Sequence, residues 1–159
     1  MTTAYIGLGS NMDMPELHIK SAIQSLGEIK SSKLRKVSSL YKSNPVGPQD
    51  QDDYINAVAE LETELEAIEL LGYLQAIEDE HGRARTQHWG PRTLDLDILM
   101  YGDDKIQNKR LTVPHKEMLN RSFVLIPLAE INPECNIPGA GLIQDCIDNI
   151  DRDDLVLLS

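Results

Sequence analysis

Cysteines, long apolar runs and, from Ser43 to Gly82, basic side chains are scarce or missing in this 159-residue chain. The two cysteines, Cys135 and Cys146, have no metal-ligand spacing, so they read as free thiols in a reducing compartment rather than as a disulfide framework. No apolar run is long enough to span a bilayer. The start, Met-Thr-Thr-Ala-Tyr-Ile-Gly-Leu-Gly-Ser, has neither the basic n-region nor the sustained apolar core of a signal peptide. A cytoplasmic protein is therefore expected. Internal repeats, low-complexity tracts and linkers are absent, and so is the Gly-Lys-Ser/Thr of a phosphate-binding P-loop. At this length, with 41% apolar residues, a single domain over 1–159 with a real core is expected.

The charge is uneven. Residues 83–121 carry eight Lys/Arg against five acids, a basic island in a chain of net charge −11. Long DNA or RNA would be repelled by most of this surface, whereas a small polyanion could be drawn to the island.

Periodicity gives an alternation of elements. Thr3–Leu8 reads as a strand ending at Gly9. Pro15 is placed as the first residue of a helix to Leu26, with Leu17, Ala22, Ile23 and Leu26 on one face and Gly27 as its stop. Lys33–Lys42 and Tyr54–Glu64 read as strands flanking a Pro/Gly loop over 44–53. Ala67–His81 is a helix that turns Leu70, Leu71, Leu74 and Ile77 inward and stops at Gly82. A polar, basic loop of about ten residues follows over 83–92, longer than a compact domain needs. Then come a strand at Thr93–Tyr101, a hairpin arm at Ile106–Leu111, short helices at His115–Arg121 and Phe123–Ile131, a helix at Leu142–Ile150 and a last strand at Leu155–Leu158. Strand, helix, two strands, helix, strand implies an α+β fold: a ferredoxin-like sandwich with a mainly antiparallel sheet and helices packed on it. A doubly wound sheet is disfavoured, because no helix separates the strands at 33–42 and 54–64.

The most telling stretch is Trp89-Gly-Pro-Arg-Thr-Leu-Asp-Leu-Asp97. In a strand, Leu94, Leu96, Ile98 and Met100 share one face and Asp95 and Asp97 the other, roughly 7 Å apart. Two like charges so placed want a cation between them. Magnesium is the simplest candidate, since it takes one or two carboxylates and leaves other positions to water and substrate phosphates. Arg92 is placed to clamp a phosphate oxygen. Gly7 and Gly9 follow a strand without completing a dinucleotide fingerprint, and read as turn or close-packing residues, with Ser10 and Asn11 at a site mouth.

Several ordered segments also resemble one family: Tyr5-Ile-Gly-Leu-Gly-Ser-Asn11, Pro45-Val-Gly-Pro-Gln-Asp-Gln51, Tyr54-Ile-Asn-Ala57, Gly82-Arg-Ala-Arg85, Trp89 to Ile98, Leu111-Thr-Val-Pro-His115 and Arg121-Ser-Phe-Val-Leu125. Over Ala4 to about Pro133 the chain resembles the 6-hydroxymethyl-7,8-dihydropterin pyrophosphokinases. The resemblance implies transfer of pyrophosphate from ATP to the hydroxymethyl group of the reduced pterin, with release of AMP, in folate biosynthesis. It implies two magnesium ions held by Asp95 and Asp97, with Arg83 and Arg92 as catalytic arginines. On the ATP side it implies Gln75, Glu78, Arg85, Trp89, Ile98, Arg110, Thr112, His115 and Arg121. For the pterin it implies Tyr54 and Phe123 sandwiching the ring, Asn56 bonding its edge, and Ser43, Asn44 and Val46 in backbone and packing contacts. Thr86, Gln87 and His88 fill a space where some relatives carry more Lys or Arg, and Lys116 stands where some have an aromatic. The basic loop is expected to close over both substrates, moving Trp89 to a drier setting. The expected partners are the two small-molecule substrates, with no nucleic acid and no membrane, and the chain is expected to be a monomer. Two readings from other classes remain: a magnesium-dependent phosphodiesterase using Asp95 and Asp97, and a non-catalytic ferredoxin-like ligand-binding module.

Overall fold

The computed structural model describes residues 1–11, 14–43, 53–81, 94–150 and 155–158. The expected loop over 44–53, all but Asp53, the expected loop over 83–92 and the stop at Gly82 lie outside them.

Strand β1 (Thr2–Ser10) sends Ala4, Ile6 and Leu8 to one face. It runs through Gly7 and Gly9, which are therefore strand residues rather than a turn. Helix α1 (Pro15–Leu26) opens with proline at its first position, where the missing N–H costs nothing. It buries Ile19, Ala22 and Leu26, while Leu17 is exposed and does not share that face as the spacing implied. Gly27 ends the helix in a right-handed conformation, φ −68°, so its left-handed freedom is not used.

The strand expected at 33–42 is broken into β2 (Ser32–Val37) and β3 (Tyr41–Ser43). The reason is visible at Ser38. Its backbone N–H donates to the Val58 carbonyl at 2.8 Å, but its hydroxyl oxygen, not a carbonyl, accepts the Val58 N–H at 2.9 Å. A side chain thus fills one rung of the ladder where β4 (Tyr54–Thr63) changes partner from β3 to β2.

Helix α2 (Ala67–Glu80) is opened by a capping box between Glu66 and Glu69 and buries Leu70, Leu74 and Ile77. Strand β5 (Asp95–Tyr101) pairs with the free side of β1. Leu8 faces Leu96 and Ile6 faces Ile98, but Tyr5 faces Met100, so Leu99 is an extra residue in a β-bulge. The alternation expected for β5 therefore holds through Ile98 and then breaks. Leu94, Leu96 and Ile98 pack with α1 and α2, whereas Leu99 and Met100 belong to the core on the opposite face.

Strands β6 (Ile106–Gln107) and β7 (Thr112–Val113) form a hairpin. A 3₁₀ turn at Met118–Asn120 replaces the helix expected over 115–121. Helix α3 (Ser122–Ile131) follows, then a small ribbon that the sequence did not reveal, β8 (Asn136–Ile137) with β9 (Gly141–Leu142). Helix α4 (Ile143–Asp148) and β10 (Val156–Leu157) complete the described chain.

The main sheet runs β10–β3–β4–β1–β5, with β2 beside the far end of β4, and its pairs are antiparallel. Helices α1 and α2 cover one face; α3 and α4 cover part of the other. This is the ferredoxin-like α+β sandwich anticipated from the order of elements.

Ser38→Ala removes the one acceptor for a buried backbone N–H. We expect a loss of about 1–3 kcal/mol in stability, seen as a lower urea midpoint at unchanged m-value.

Candidate active site

The register assembles one row of residues across the sheet. Tyr41 faces Asn56, Asn56 faces Gly9, and Gly9 faces Asp95. In the next row Val58 faces Gly7, which faces Asp97. Directly opposed residues of an antiparallel pair point to the same side, so Asn56, Tyr54, Asp95 and Asp97 share the face that α3 partly covers. Between Asn56 and Asp95 there is only glycine, and two strand spacings make about 10 Å. The floor between the amide and the carboxylates is therefore bare backbone. Gly7 has a second reason to lack a side chain: a Cβ there would lie 3.2 Å from Cδ2 of the bulged Leu99.

On the β3 side of this floor, the Asn56 amide donates to the Ser43 hydroxyl at 2.7 Å, and both residues are buried. Ser10 and Asn11, expected at a site mouth, are buried at the end of β1. Phe123 stands in the first turn of α3, partly buried against the core beneath that helix, with the Arg121 guanidinium 5.5 Å from its ring centre.

Beyond the outer edge of β5 lies a cavity of about 250 Å³ between α2 and the β6–β7 hairpin. Ile98, Arg110, Thr112 and His115, four of the residues expected on the ATP side, line it. So does Asp97, which thus stands where the cavity meets the glycine floor. Leu71, Leu96 and Leu111 supply apolar walls, and Lys109 and Lys116 add positive charge. Leu71 was expected inward; it is only partly buried and faces this space.

Gln75 is half-buried on α2 and is not among the residues lining the cavity. Glu78 is buried, 5% exposed, and its carboxylate accepts the backbone N–H of Leu96 at 2.8 Å. Leu96 lies between the two aspartates, so Glu78 ties their strand to α2. Arg83, Arg85, Trp89, Arg92, Asn44 and Val46 lie outside the described residues.

His115 is held from two sides. Its backbone N–H donates to the carbonyl of bulged Leu99 at 2.9 Å, and its ring Nδ1 accepts the Glu117 backbone N–H at 3.2 Å, which leaves the proton of the neutral ring on Nε2. Burial pushes its pKa below 6.5; the Asp97 charge pulls it up, and Arg121 pushes it down.

The half-buried Asp95 and Asp97 offer hard oxygen donors on one face. Among the described residues no group of three or more His, Cys, Asp or Glu forms a metal cage. A carboxylate pair on an open floor fits magnesium, which keeps positions for phosphate and water.

A ferredoxin-like sandwich with an acidic pair between a basic, partly apolar cavity and a bare glycine floor is the frame of a phosphoryl-group transferase. Residues 5–133 match the family model of 7,8-dihydro-6-hydroxymethylpterin-pyrophosphokinase (HPPK), and the chain belongs to that family. It is 50% identical over 147 residues to the 2-amino-4-hydroxy-6-hydroxymethyldihydropteridine pyrophosphokinase of Haemophilus influenzae, covering 92% of each chain. It is 47% identical over 143 residues to that of Pseudomonas aeruginosa, covering 90% of this chain and 88% of the relative. The fold is also that of a solved HPPK-DHPS in complex with substrates, at TM-score 0.73 and 13% identity over 92% of this chain; the chain spans 43% of that longer one. A Plasmodium falciparum HPPK-DHPS gives TM-score 0.72 at 14% identity, over 92% of this chain and 43% of that one.

The His115 shift carries a sign. The unfolded chain takes up a proton near pH 6.5, while the folded ring resists it until a lower pH, so stability is lost as pH falls through that window. His81 is shifted the same way, by burial and then by the neighbouring His18. We expect the unfolding temperature, measured without magnesium, to drop between pH 7 and 5. His115→Gln should flatten part of that slope; an unchanged slope would remove His115 from the account.

Proposed function

We infer that the chain transfers pyrophosphate from ATP to 6-hydroxymethyl-7,8-dihydropterin, giving AMP and the pterin diphosphate, in folate biosynthesis. The observation that carries this reading is the place of Asp97, which lines the cavity beside β5 and also shares the glycine floor with Asn56. A two-substrate transfer needs such a junction. The nucleotide sits in the cavity, the flat ring lies on Gly7 and Gly9, and the reacting oxygen and phosphorus meet at the acidic pair.

The residues divide accordingly. Leu71, Leu96 and Leu111 give the nucleotide base an apolar seat, and Arg110, Lys109 and Lys116 meet its phosphates. Neutral His115 supplies a donor at Nε2. Asn56 fixes the edge of the pterin, and Tyr54 and Phe123 supply aromatic surfaces on that face of the sheet. Asp95 and Asp97 hold magnesium, two ions with ATP, and orient the hydroxyl. Magnesium neutralises charge on the triphosphate. Arg83 and Arg92, with Arg85 and Trp89 between them in sequence, belong to this same machinery through the family motif, clamping the transferred group. The chain acts in the cytoplasm, as one domain and as a monomer; among the described residues no helix is long and apolar enough to cross a membrane.

The deciding assay follows AMP formation from ATP and the reduced pterin with and without Mg²⁺. A phosphodiesterase would hydrolyse without the pterin, and a binding module would release no AMP. Asp95→Ala and Asp97→Ala should each lower turnover about 10³-fold or more, because the triphosphate loses its counter-ions, while the circular dichroism of the fold is kept. Near-normal activity at ordinary Mg²⁺ would sink the assignment. Arg83→Ala and Arg92→Ala should slow single-turnover transfer far more than they weaken pterin binding; the reverse pattern would mean that their roles are misassigned.

A further inference from the structure

The Asn56 side chain is an amide whose two flips have nearly the same shape and opposite polarity. Which flip it adopts decides whether it offers an acceptor or a donor to whatever lies on the glycine floor. Two neighbours decide it here. The Asn56 Nδ2 donates to the Ser43 hydroxyl at 2.7 Å and, more weakly, to the Tyr54 carbonyl at 3.5 Å. The hydroxyl alone would accept either flip, but the carbonyl accepts only N–H. With the NH₂ turned toward β3, the amide oxygen is turned toward Gly9, 3.6 Å from where a Cβ on that residue would stand. Ser43 is 6% exposed and Asn56 3% exposed, so water competes little for this short bond.

We propose that Ser43 is a positioning residue: it holds the Asn56 amide with its carbonyl facing the glycine floor. The site thereby selects a flat heteroaromatic ring whose edge presents N–H donors. The 2-amino-4-oxo edge of a pterin does so; the same ring with its 2-amino group replaced by methyl does so less. This assignment rests on the reading above that the floor seats the pterin, and it adds the group that sets the polarity of that seat. Ser43 touches Asn56, and acts on the ring through it.

The test uses the full chain, with Ser43→Ala and Ser43→Thr compared with the native enzyme. Binding of the reduced pterin and of its 2-methyl analogue is measured by calorimetry without ATP, and KM for each substrate by AMP release. Ser43→Ala should weaken pterin binding about 10- to 100-fold, raise KM for the pterin far more than KM for ATP, and shrink the preference for the 2-amino ring. Ser43→Thr, which keeps the hydroxyl, should restore both affinity and preference. A Ser43→Ala enzyme that loses affinity for both rings alike, keeping its preference, would show Ser43 to be mere packing and overturn the proposal, as would failure of Ser43→Thr to rescue. Native turnover reports separately on the function, so absence of AMP from the native chain is not confused with failure of the Ser43 assignment.

Discussion

The antiparallel ladder between β1 and β4 runs without interruption from Thr2 opposite Thr63 to Ser10 opposite Ile55. Side chains alternate across a sheet, so a slip of one residue here would exchange the two faces completely. Ala4, Ile6 and Leu8 would leave the core under α1 and α2, and Gly7 and Gly9 would leave the floor. The hydrophobic demand on one face therefore fixes the chemistry on the other. Burial of Ala57, Ala59 and Leu61 from β4 alongside the β1 residues sets the register, and that register places Asn56 two strands from Asp95.

Around this ladder the polar groups serve as fasteners. Ser38 supplies a missing rung, Glu78 ties β5 to α2, and the Glu130 carboxylate of α3 accepts from the Ser39 backbone and from the Tyr41 hydroxyl, the latter at 2.5 Å. The last of these joins α3, which carries Phe123, to β3, which carries Ser43. The strand β10, pairing Leu157 with Tyr41 and Val156 with Lys42, covers the other side of β3. Residues beyond the family match thus help to hold the strand that leads into the proposed pterin site.

The sandwich was legible because its helices are amphipathic and its strands alternate or carry β-branched residues. The Asp95/Asp97 face was legible from period two alone. Three features were not. The bulge at Leu99 leaves no mark in a run of four apolar residues, since every order of facing looks equally hydrophobic. The break at Ser38 depends on a hydroxyl finding Val58 across the sheet, a contact set by the tertiary fold. The role of Glu78 depends on burial: the resemblance puts it with Gln75 on the ATP side, while the structure turns Glu78 to the backbone of β5 and leaves Leu71 to face the cavity. For Gly7 the close-packing half of the expectation holds, against Leu99, while the turn half fails for both glycines, because glycine inside a strand is less common than glycine in a turn.

The bulge at Leu99 and the missing side chain at Gly7 meet at 3.2 Å, and this makes them a single unit of inheritance. A Cβ at position 7 requires Leu99, itself 2% exposed, to give by a few tenths of an ångström. Relief comes from a smaller residue at 99, at the cost of a void in the core beneath α3. Drift at either position is thus conditional on the other. Among descendants of this chain a larger residue at position 7 is expected to favour a smaller one at position 99, although the two residues lie more than ninety positions apart in sequence.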